Sequence, residues 1–156
     1  MRLVVSTPHQ MRSVGTALAA MLEPGDLVIL TGDLGAGKTV LTQGIGAGLG
    51  VRGQVLSPTF VIARVHPAPL PLVHVDAYRL SSLAEVDDLD LDASLEDSVT
   101  VVEWGEGLVE GLADARLAVH IARSIDTEDR VVTLTPYGEA WRRRAPALEV
   151  ICDRLN

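Results

Sequence analysis

An eight-residue segment in the first third of the chain has the residue types and spacing of a phosphate-binding loop, or P-loop. It fits the pattern G-x-x-x-x-G-K-[ST] and reads Gly32-Asp33-Leu34-Gly35-Ala36-Gly37-Lys38-Thr39. Glycines let such a loop curl so that successive backbone N–H groups face anionic oxygens. Lys38 is predicted to reach the β- and γ-phosphates of a nucleotide, and the Thr39 hydroxyl to ligate Mg²⁺. The expected nucleotide contacts are Gly35, Ala36, Gly37, Lys38, Thr39 and Val40.

Lys38 is the only lysine among the 13 basic residues of the chain, and the other 12 are arginines. A lysine at that one position is what a site requires when a slim ammonium group must fit among phosphates. GTPases of the common kind recognise guanine through an Asn-Lys-x-Asp segment, which a chain without a second lysine cannot contain. The sequence therefore predicts ATP rather than GTP as the ligand.

Two carboxylates come at the ends of apolar segments that are typical of buried strands. Asp76 ends the segment 72–76, and Glu103 ends the segment 99–103. The carboxyl ends of parallel strands lie at the edge of the sheet where ligands bind. Either acid could hold Mg²⁺ through water or orient an attacking water, so on the residues alone both roles stay open. Trp104, which follows Glu103, could pack against the loop at residues 57–59 or fill the core.

The tripeptide Ser57-Pro58-Thr59 lies between the predicted P-loop helix and the next strand. In nucleotide-binding proteins a switch loop at this place carries a threonine that senses the γ-phosphate and Mg²⁺. The same tripeptide is also a common turn, and on the residues alone the turn is favoured. His74 lies in the middle of its strand and is predicted to be a packed histidine rather than a ligand.

Apolar periodicity predicts that strands and helices alternate along the chain. The predicted strands are residues 3–6, 27–31, 60–65, 72–76, 99–103, 117–122 and 130–135, and the predicted helices are residues 10–22, 39–49, 81–88 and 138–154. This order indicates an α/β fold, a P-loop NTPase three-layer sandwich with a mainly parallel central sheet and antiparallel edge strands. The whole chain, 1–156, is predicted to form a single P-loop ATPase domain.

Composition excludes several other kinds of protein. The net charge of −8 has the wrong sign for direct, stable binding to nucleic acid, and the one basic cluster, residues 142–144, is predicted to be a solvated helix end. A single cysteine, Cys152, permits neither an internal disulfide nor a thiolate metal site. No apolar run approaches the ~20 residues that span a membrane. We expect a cytoplasmic protein that does not bind membranes.

Four motifs occur in an order and spacing that resemble the TsaE (YjeE) family of small bacterial ATPases. The first is the P-loop, and the others are Ser57-Pro58-Thr59-Phe60, His74-Val75-Asp76-Ala77-Tyr78-Arg79-Leu80 and Val102-Glu103-Trp104. The resemblance extends over most of the chain, from about residue 15 to residue 130.

Two positions differ from the usual pattern of the family. Gly105 stands where a proline is usual, and Met11 stands where a threonine is common near the adenine, so residues 7–11 are not among the expected contacts.

The resemblance implies a role in making threonylcarbamoyladenosine, a modified nucleoside next to the anticodon of tRNA. Members of the family bind the TsaB–TsaD heterodimer, and their ATP hydrolysis supports its turnover, so contact with tRNA would be only indirect. ATP and Mg²⁺ are the implied cofactors. Carried onto this sequence, Thr39 and Glu103 would ligate Mg²⁺, and Asp76 would be the acid needed for hydrolysis. Thr59 would be the switch threonine, and Trp104 and Arg130 would lie against the nucleotide.

Two other functions share the P-loop. A small-molecule kinase would need an arginine-bearing lid, and the segment 80–97, where such a lid is common, is rich in Asp and Glu and contains no arginine. A regulatory module could bind a nucleotide without hydrolysing it. The presence of both candidate acids, Asp76 and Glu103, favours hydrolysis over that alternative.

Overall fold

The computed structural model describes residues 1–58, 62–80, 85, 95–107 and 109–155, and within these residues seven strands form one sheet. The strands are β1 (Arg2–Val5), β2 (Leu27–Thr31), β3 (Ala63–His66), β4 (Leu72–Asp76), β5 (Val99–Glu103), β6 (Arg116–Arg123) and β7 (Arg130–Tyr137). The α-helices among the described residues are α1 (Pro8–Ala19), α2 (Lys38–Leu49) and α3 (Glu139–Leu155), and a 3₁₀ helix spans Glu110–Leu112.

The centre of the sheet is parallel and its margins are antiparallel. The order is β1-β7-β6-β2-β5-β4-β3, in which the four central strands β6, β2, β5 and β4 run parallel to one another. Strand β1 pairs with β7, β7 with β6 and β3 with β4 in antiparallel fashion. The predicted α/β fold with a mainly parallel centre and antiparallel edge strands is therefore confirmed.

The bounds of β2, β4 and β5 agree with the prediction residue for residue, because each is a short and mainly apolar segment. The predicted hairpin is also present, with each of its strands longer than expected. Helix α1 begins at Pro8, two residues before the predicted start, because the Thr7 side chain accepts from the Gln10 N–H in a capping box. The predicted helix 81–88, apart from residue 85, and the beginning of the predicted strand 60–65 lie outside the described residues.

The two faces of the sheet bury separate apolar clusters. Side chains of all three α-helices belong to the larger cluster, which covers the face that carries Val28, Leu30 and Val101. On the opposite face Ile29, Val102 and their neighbours pack against the segments that follow β4 and β5. Successive strand residues point to opposite faces, so both faces of the central strands are apolar. In the described part of the chain no helix is long and apolar enough to cross a bilayer.

Helices α1 and α2 meet through glycines. A Cβ atom on Gly44 would overlap the carbonyl oxygen of Arg12, and one on Gly15 would lie 2.7 Å from the backbone nitrogen of Ile45. The Thr16 hydroxyl donates to the carbonyl oxygen of Gly44 at 3.2 Å, which is possible only because the two backbones are so close. Helix α1 thus fixes the position of the helix that begins at the P-loop.

The arginine cluster at residues 142–144 is not uniformly solvated. Arg144 makes a bidentate ion pair with Asp26 at 2.6 and 2.7 Å, and its side chain is 17% exposed. That hydrogen-bonded pair chiefly raises the pKa of Arg144. Arg143, by contrast, has a side chain that is 73% exposed and reaches Glu139 at 3.7 Å. The prediction of a solvated helix end was therefore wrong for Arg144, which fastens α3 to the turn before β2.

We expect Gly44→Ala to lower the free energy of unfolding by about 1–3 kcal/mol, because the new methyl group meets main chain that cannot move aside. This loss should appear even though alanine favours an isolated helix by about 1 kcal/mol. Thermal or urea unfolding measures it. Gly111→Ala is the matched control, since a Cβ atom at that position meets nothing within 4 Å. A Gly44→Ala variant as stable as the parent would contradict the close contact between α1 and α2.

Candidate functional site

The P-loop connects β2 to α2 and is wrapped around the side chain of its own lysine. Lys38 is 5% exposed, and its Nζ donates to the carbonyl oxygens of Gly32 at 2.6 Å and Asp33 at 2.9 Å. Helix α2 begins at Lys38, and its N-cap, Gly37, lies in the left-handed region at φ 116° with no side-chain cap among the described residues. The N–H groups of the first helical turn, with the positive end of the helix dipole, are therefore directed at the space inside the loop.

Gly32 is required where the loop leaves β2. Its φ is 143°, and a Cβ atom there would overlap the carbonyl oxygen of Ile121 on β6. A side chain at this position would push the loop off the sheet edge. The first glycine of the motif thus seats the loop against β6.

The surroundings of Lys38 combine burial with an aromatic ring. Its Nζ lies 4.0 Å from the centre of the Trp104 ring, and the Tyr78 ring lies 5.2 Å from the same indole. Burial lowers the pKa of Lys38, and the negative charges of Glu103, Asp76 and Asp33 oppose that shift. Three carboxylates thus act on one ammonium group.

Trp104 has a strained backbone. Its φ is 63°, a conformation rare for a large side chain, and its N–H donates to the carbonyl oxygen of Leu30 at 3.0 Å. The turn after β5 therefore directs the indole back over the P-loop instead of away from the sheet. Sequence alone left Trp104 between a loop contact and the core, and the structure places it over Lys38.

Glu103 is buried at the end of β5, directly beside the P-loop helix. It is 4% exposed, and its Oε1 accepts from the Thr39 hydroxyl at 3.0 Å and lies 2.9 Å from Nε2 of His74. The strand register accounts for this position, since Glu103 pairs with Leu30 of β2 on one side and with Asp76 of β4 on the other. The predicted metal ligands Thr39 and Glu103 are therefore in contact.

Asp76 ends β4 next to Glu103 and is more accessible. Its Oδ1 accepts from the N–H of Tyr78 at 3.1 Å, and its own N–H donates to the carbonyl oxygen of Ile62 at 2.7 Å. These bonds hold the carboxylate at the rim of the site. Thr59, the predicted switch threonine, lies outside the described residues.

A cavity of about 140 Å³ adjoins the P-loop on the side away from Asp76 and Glu103. The predicted contacts Gly35, Ala36, Gly37, Val40 and Arg130 line it, together with Val5, Ser6, Thr7, Pro8, Met11 and Glu128. The N-terminal segment was not among the expected contacts. Its signal in the sequence was the capping box that starts α1, which brings the beginning of that helix to the P-loop edge of the sheet.

A second arginine that the sequence did not indicate also reaches the loop. Nη2 of Arg123, the last residue of β6, donates to the carbonyl oxygen of Gly35 at 3.4 Å. Arg123 pairs with Arg130 across the β6–β7 hairpin. Arg123 therefore contacts the P-loop directly, whereas Arg130 lines the cavity and its guanidinium group donates to the carbonyl oxygens of Glu128 and Asp129.

The side chains present fit a magnesium nucleotide. Thr39 and Glu103 offer adjacent oxygens, and oxygen is the ligand that a hard cation prefers. The positively charged Lys38 side chain already donates to two carbonyl oxygens of the loop. The described residues contain no group of three or more His, Cys, Asp or Glu side chains that could hold a metal ion. A cation here would therefore need phosphate oxygens to complete its coordination, as Mg²⁺ does in nucleotide sites.

Comparisons with known proteins identify the same family that the four motifs resemble. The family model for threonylcarbamoyl adenosine biosynthesis protein TsaE matches residues 5–132. The chain is 63% identical over 138 residues to the tRNA threonylcarbamoyladenosine biosynthesis protein TsaE of Streptomyces coelicolor, covering 84% of this chain and 93% of that protein. It is 38% identical over 151 residues to the protein of that name from Bacillus subtilis, covering 96% and 89%. The crystal structure of Bacillus subtilis YdiB matches 100% of this chain and 96% of its own, with a TM-score of 0.79 and 31% identity.

Proposed function

The chain belongs to the TsaE family of tRNA threonylcarbamoyladenosine biosynthesis proteins, and we propose that within this pathway it binds and hydrolyses Mg·ATP. The observation that carries the proposal is the convergence of Lys38, Thr39, Glu103 and Asp76 at one edge of the sheet. A phosphate cradle, an oxygen pair suited to Mg²⁺ and a further carboxylate at the rim are the parts that nucleotide hydrolysis requires.

Lys38 and the start of α2 bind the phosphates. When a nucleotide enters, the ammonium group exchanges the carbonyl oxygens of Gly32 and Asp33 for phosphate oxygens, with little change in position. The uncapped N–H groups of the first turn of α2 donate to the same anion. Because Lys38 is buried, its charge acts in a medium less polar than water and is correspondingly more effective.

Thr39 and Glu103 would hold the cation. The Thr39 hydroxyl can keep its hydrogen on Glu103 while an oxygen lone pair faces the metal, so the contact at 3.0 Å needs no rearrangement. Mg²⁺ bound there would neutralise charge on the phosphate oxygens.

Asp76 orients the attacking water. It lies beside Glu103 in the register of β4 and β5, yet it is less buried and remains at the rim. Water attacks the γ-phosphorus, the bond to the bridging oxygen breaks, and ADP and inorganic phosphate leave. We therefore assign Glu103 to the metal and Asp76 to the water, two roles that the residues alone left open.

The 140 Å³ cavity is the proposed base site. It is bounded by Pro8 and Met11 of α1 on one side and by Glu128 and Arg130 of the β6–β7 hairpin on the other. Apolar walls suit the faces of an adenine ring, and the polar rim suits its edge. Because Gly35–Gly37 line both this cavity and the phosphate cradle, one ligand can fill both.

A TsaB–TsaD pair is the proposed partner, which the family relationship suggests and the surface around the site supports. Leu34, in the middle of the P-loop, is 87% exposed, and Tyr78 is 69% exposed. Large apolar side chains at the mouth of a charged site favour coverage by another protein. The net charge of −8 leaves contact with tRNA to the partners.

Lys38→Ala should weaken the binding of a non-hydrolysable ATP analogue about 100-fold, which corresponds to the loss of a charge-assisted hydrogen bond of ~3 kcal/mol. Isothermal titration calorimetry measures the dissociation constant. Arg143→Ala removes a positive charge from an exposed position on α3 and should leave binding unchanged. An unchanged constant for Lys38→Ala would refute the phosphate site.

Asp76→Asn and Glu103→Gln should have different effects. Asp76→Asn should lower the rate of phosphate release by at least 100-fold, the usual contribution of a positioned acid or base, while nucleotide affinity stays within about threefold. Glu103→Gln should instead reduce the gain in nucleotide affinity that Mg²⁺ provides. Phosphate release and calorimetry with and without EDTA measure the two quantities. Identical behaviour of the two variants would show that the assigned roles are wrong.

The chain should co-purify with a TsaB–TsaD pair in the presence of ATP, and its phosphate release should rise when the pair is added. P-loop enzymes often need a positive charge from a partner to reach full rate, so the isolated chain should be slow. Turnover of the isolated chain on the order of ten per second, typical of a complete enzyme, would contradict this. Failure to associate with or without ATP would contradict the proposed partner.

A further inference from the structure

His74 is the most deeply buried titratable side chain near the site, more so than Glu103 or Lys38. It lies in the middle of β4 with 0% exposure. Strand alternation places it on the same face of β4 as Asp76, the face that bears the α-helices. Burying an imidazole among aliphatic side chains costs free energy unless its polar atoms are satisfied.

Only one of its two nitrogens has a partner among the described residues. Nε2 lies 2.9 Å from Oε1 of Glu103, and Nδ1 is buried without a hydrogen bond to any described group. An ionised carboxylate can only accept, so Nε2 carries the hydrogen and donates it. The bond to Glu103 is therefore the one polar contact that the buried imidazole makes among the described residues.

Oε1 of Glu103 accepts from two sides. Thr39 approaches from α2 and His74 from β4, at 3.0 and 2.9 Å. Two donors on one oxygen restrict the rotation of the carboxylate, which would otherwise swing about its last torsion angle. The strand register makes this possible, because Glu103 pairs with Asp76, two residues beyond His74 on the same face.

We propose that His74 is a positioning residue, which holds the Glu103 carboxylate against Thr39 in the orientation that Mg²⁺ requires. The inference rests on the proposed function, since it assigns the cation to Thr39 and Glu103. Groups that orient metal ligands typically change metal affinity 10- to 100-fold when they are removed. His74 therefore acts on the cation through Glu103, without touching the nucleotide.

The test compares two replacements of similar length. His74→Gln keeps an N–H donor at the distance of Nε2, whereas His74→Met fills similar space without a donor. Calorimetry measures the affinity for a non-hydrolysable ATP analogue at a series of Mg²⁺ concentrations. The series gives the Mg²⁺ concentration at which half of the increase in nucleotide affinity is reached. The same titration in EDTA gives the nucleotide affinity without metal. His74→Met should raise that Mg²⁺ concentration 10- to 100-fold and leave the metal-free affinity unchanged. His74→Gln should restore most of the loss.

Thr100→Val is the control for a buried polar change in the same sheet. Thr100 is 0% exposed, lies on β5 on the face opposite Glu103, and its hydroxyl has no partner among the described residues. The Thr100→Val variant should change neither the Mg²⁺ concentration at half-maximal increase in affinity nor the affinity without metal. A change in thermal stability without a change in Mg²⁺ dependence for His74→Met would reduce His74 to a packing residue and overturn the inference.

Further outcomes separate this inference from the proposed function. If His74→Met fails to fold, His74→Asn takes its place, because its amide reaches only as far as Nδ1. Equal Mg²⁺ dependence of His74→Asn and His74→Gln would then overturn the inference. A parent chain whose nucleotide affinity gains nothing from Mg²⁺ would overturn the proposed function, and the role of His74 with it. If Mg²⁺ raises the nucleotide affinity of the parent chain, and the His74 variants show the same Mg²⁺ dependence as the parent, only the role of His74 is overturned.

Discussion

The pairing of β5 between β2 and β4 is the constraint on which the site depends. Because the three strands are parallel, their carboxyl ends reach the same edge, and the register sets Glu103 beside Leu30 and Asp76. The P-loop leaves β2 two residues after Leu30, so the cradle and the acids meet without any long connection. A shift of β5 by one residue in this register would turn Glu103 to the opposite face and separate it from both His74 and Thr39.

A second contact, between α1 and α2, joins the phosphate cradle to the cavity beside it. Gly15 and Gly44 let the two helices approach until their backbones touch. That approach brings Met11 within 3.2 Å of where a Cβ atom of Gly37 would lie. The wall of the cavity and the N-terminal end of α2 are thus parts of one rigid pair of helices, and a change at the glycines would disturb both.

Much of this arrangement could be predicted from local sequence. The apolar runs of β2, β4 and β5 define their own bounds, and the P-loop motif identifies Lys38 and Thr39 because the chemistry of phosphates demands those residue types. Contacts between distant segments could not be predicted. The burial of His74 followed from periodicity, but its bond to Glu103 depends on strand register, and the ion pair of Arg144 with Asp26 joins residues 118 positions apart. The contribution of Met11 to the cavity likewise depends on helix packing.

The solitary lysine has a consequence for the chemical modification of this protein. Lys38 carries the one lysine amine in the sequence, and the nitrogen of Met1 donates to the carbonyl oxygen of Leu134 at 2.9 Å. Acylation of any lysine in this molecule is therefore acylation of the phosphate cradle, and it removes the charge there. A ligand that covers Lys38 shields every lysine that the chain possesses. Reactivity toward amine reagents, read at Lys38 itself, therefore measures how much of the protein has its cradle open.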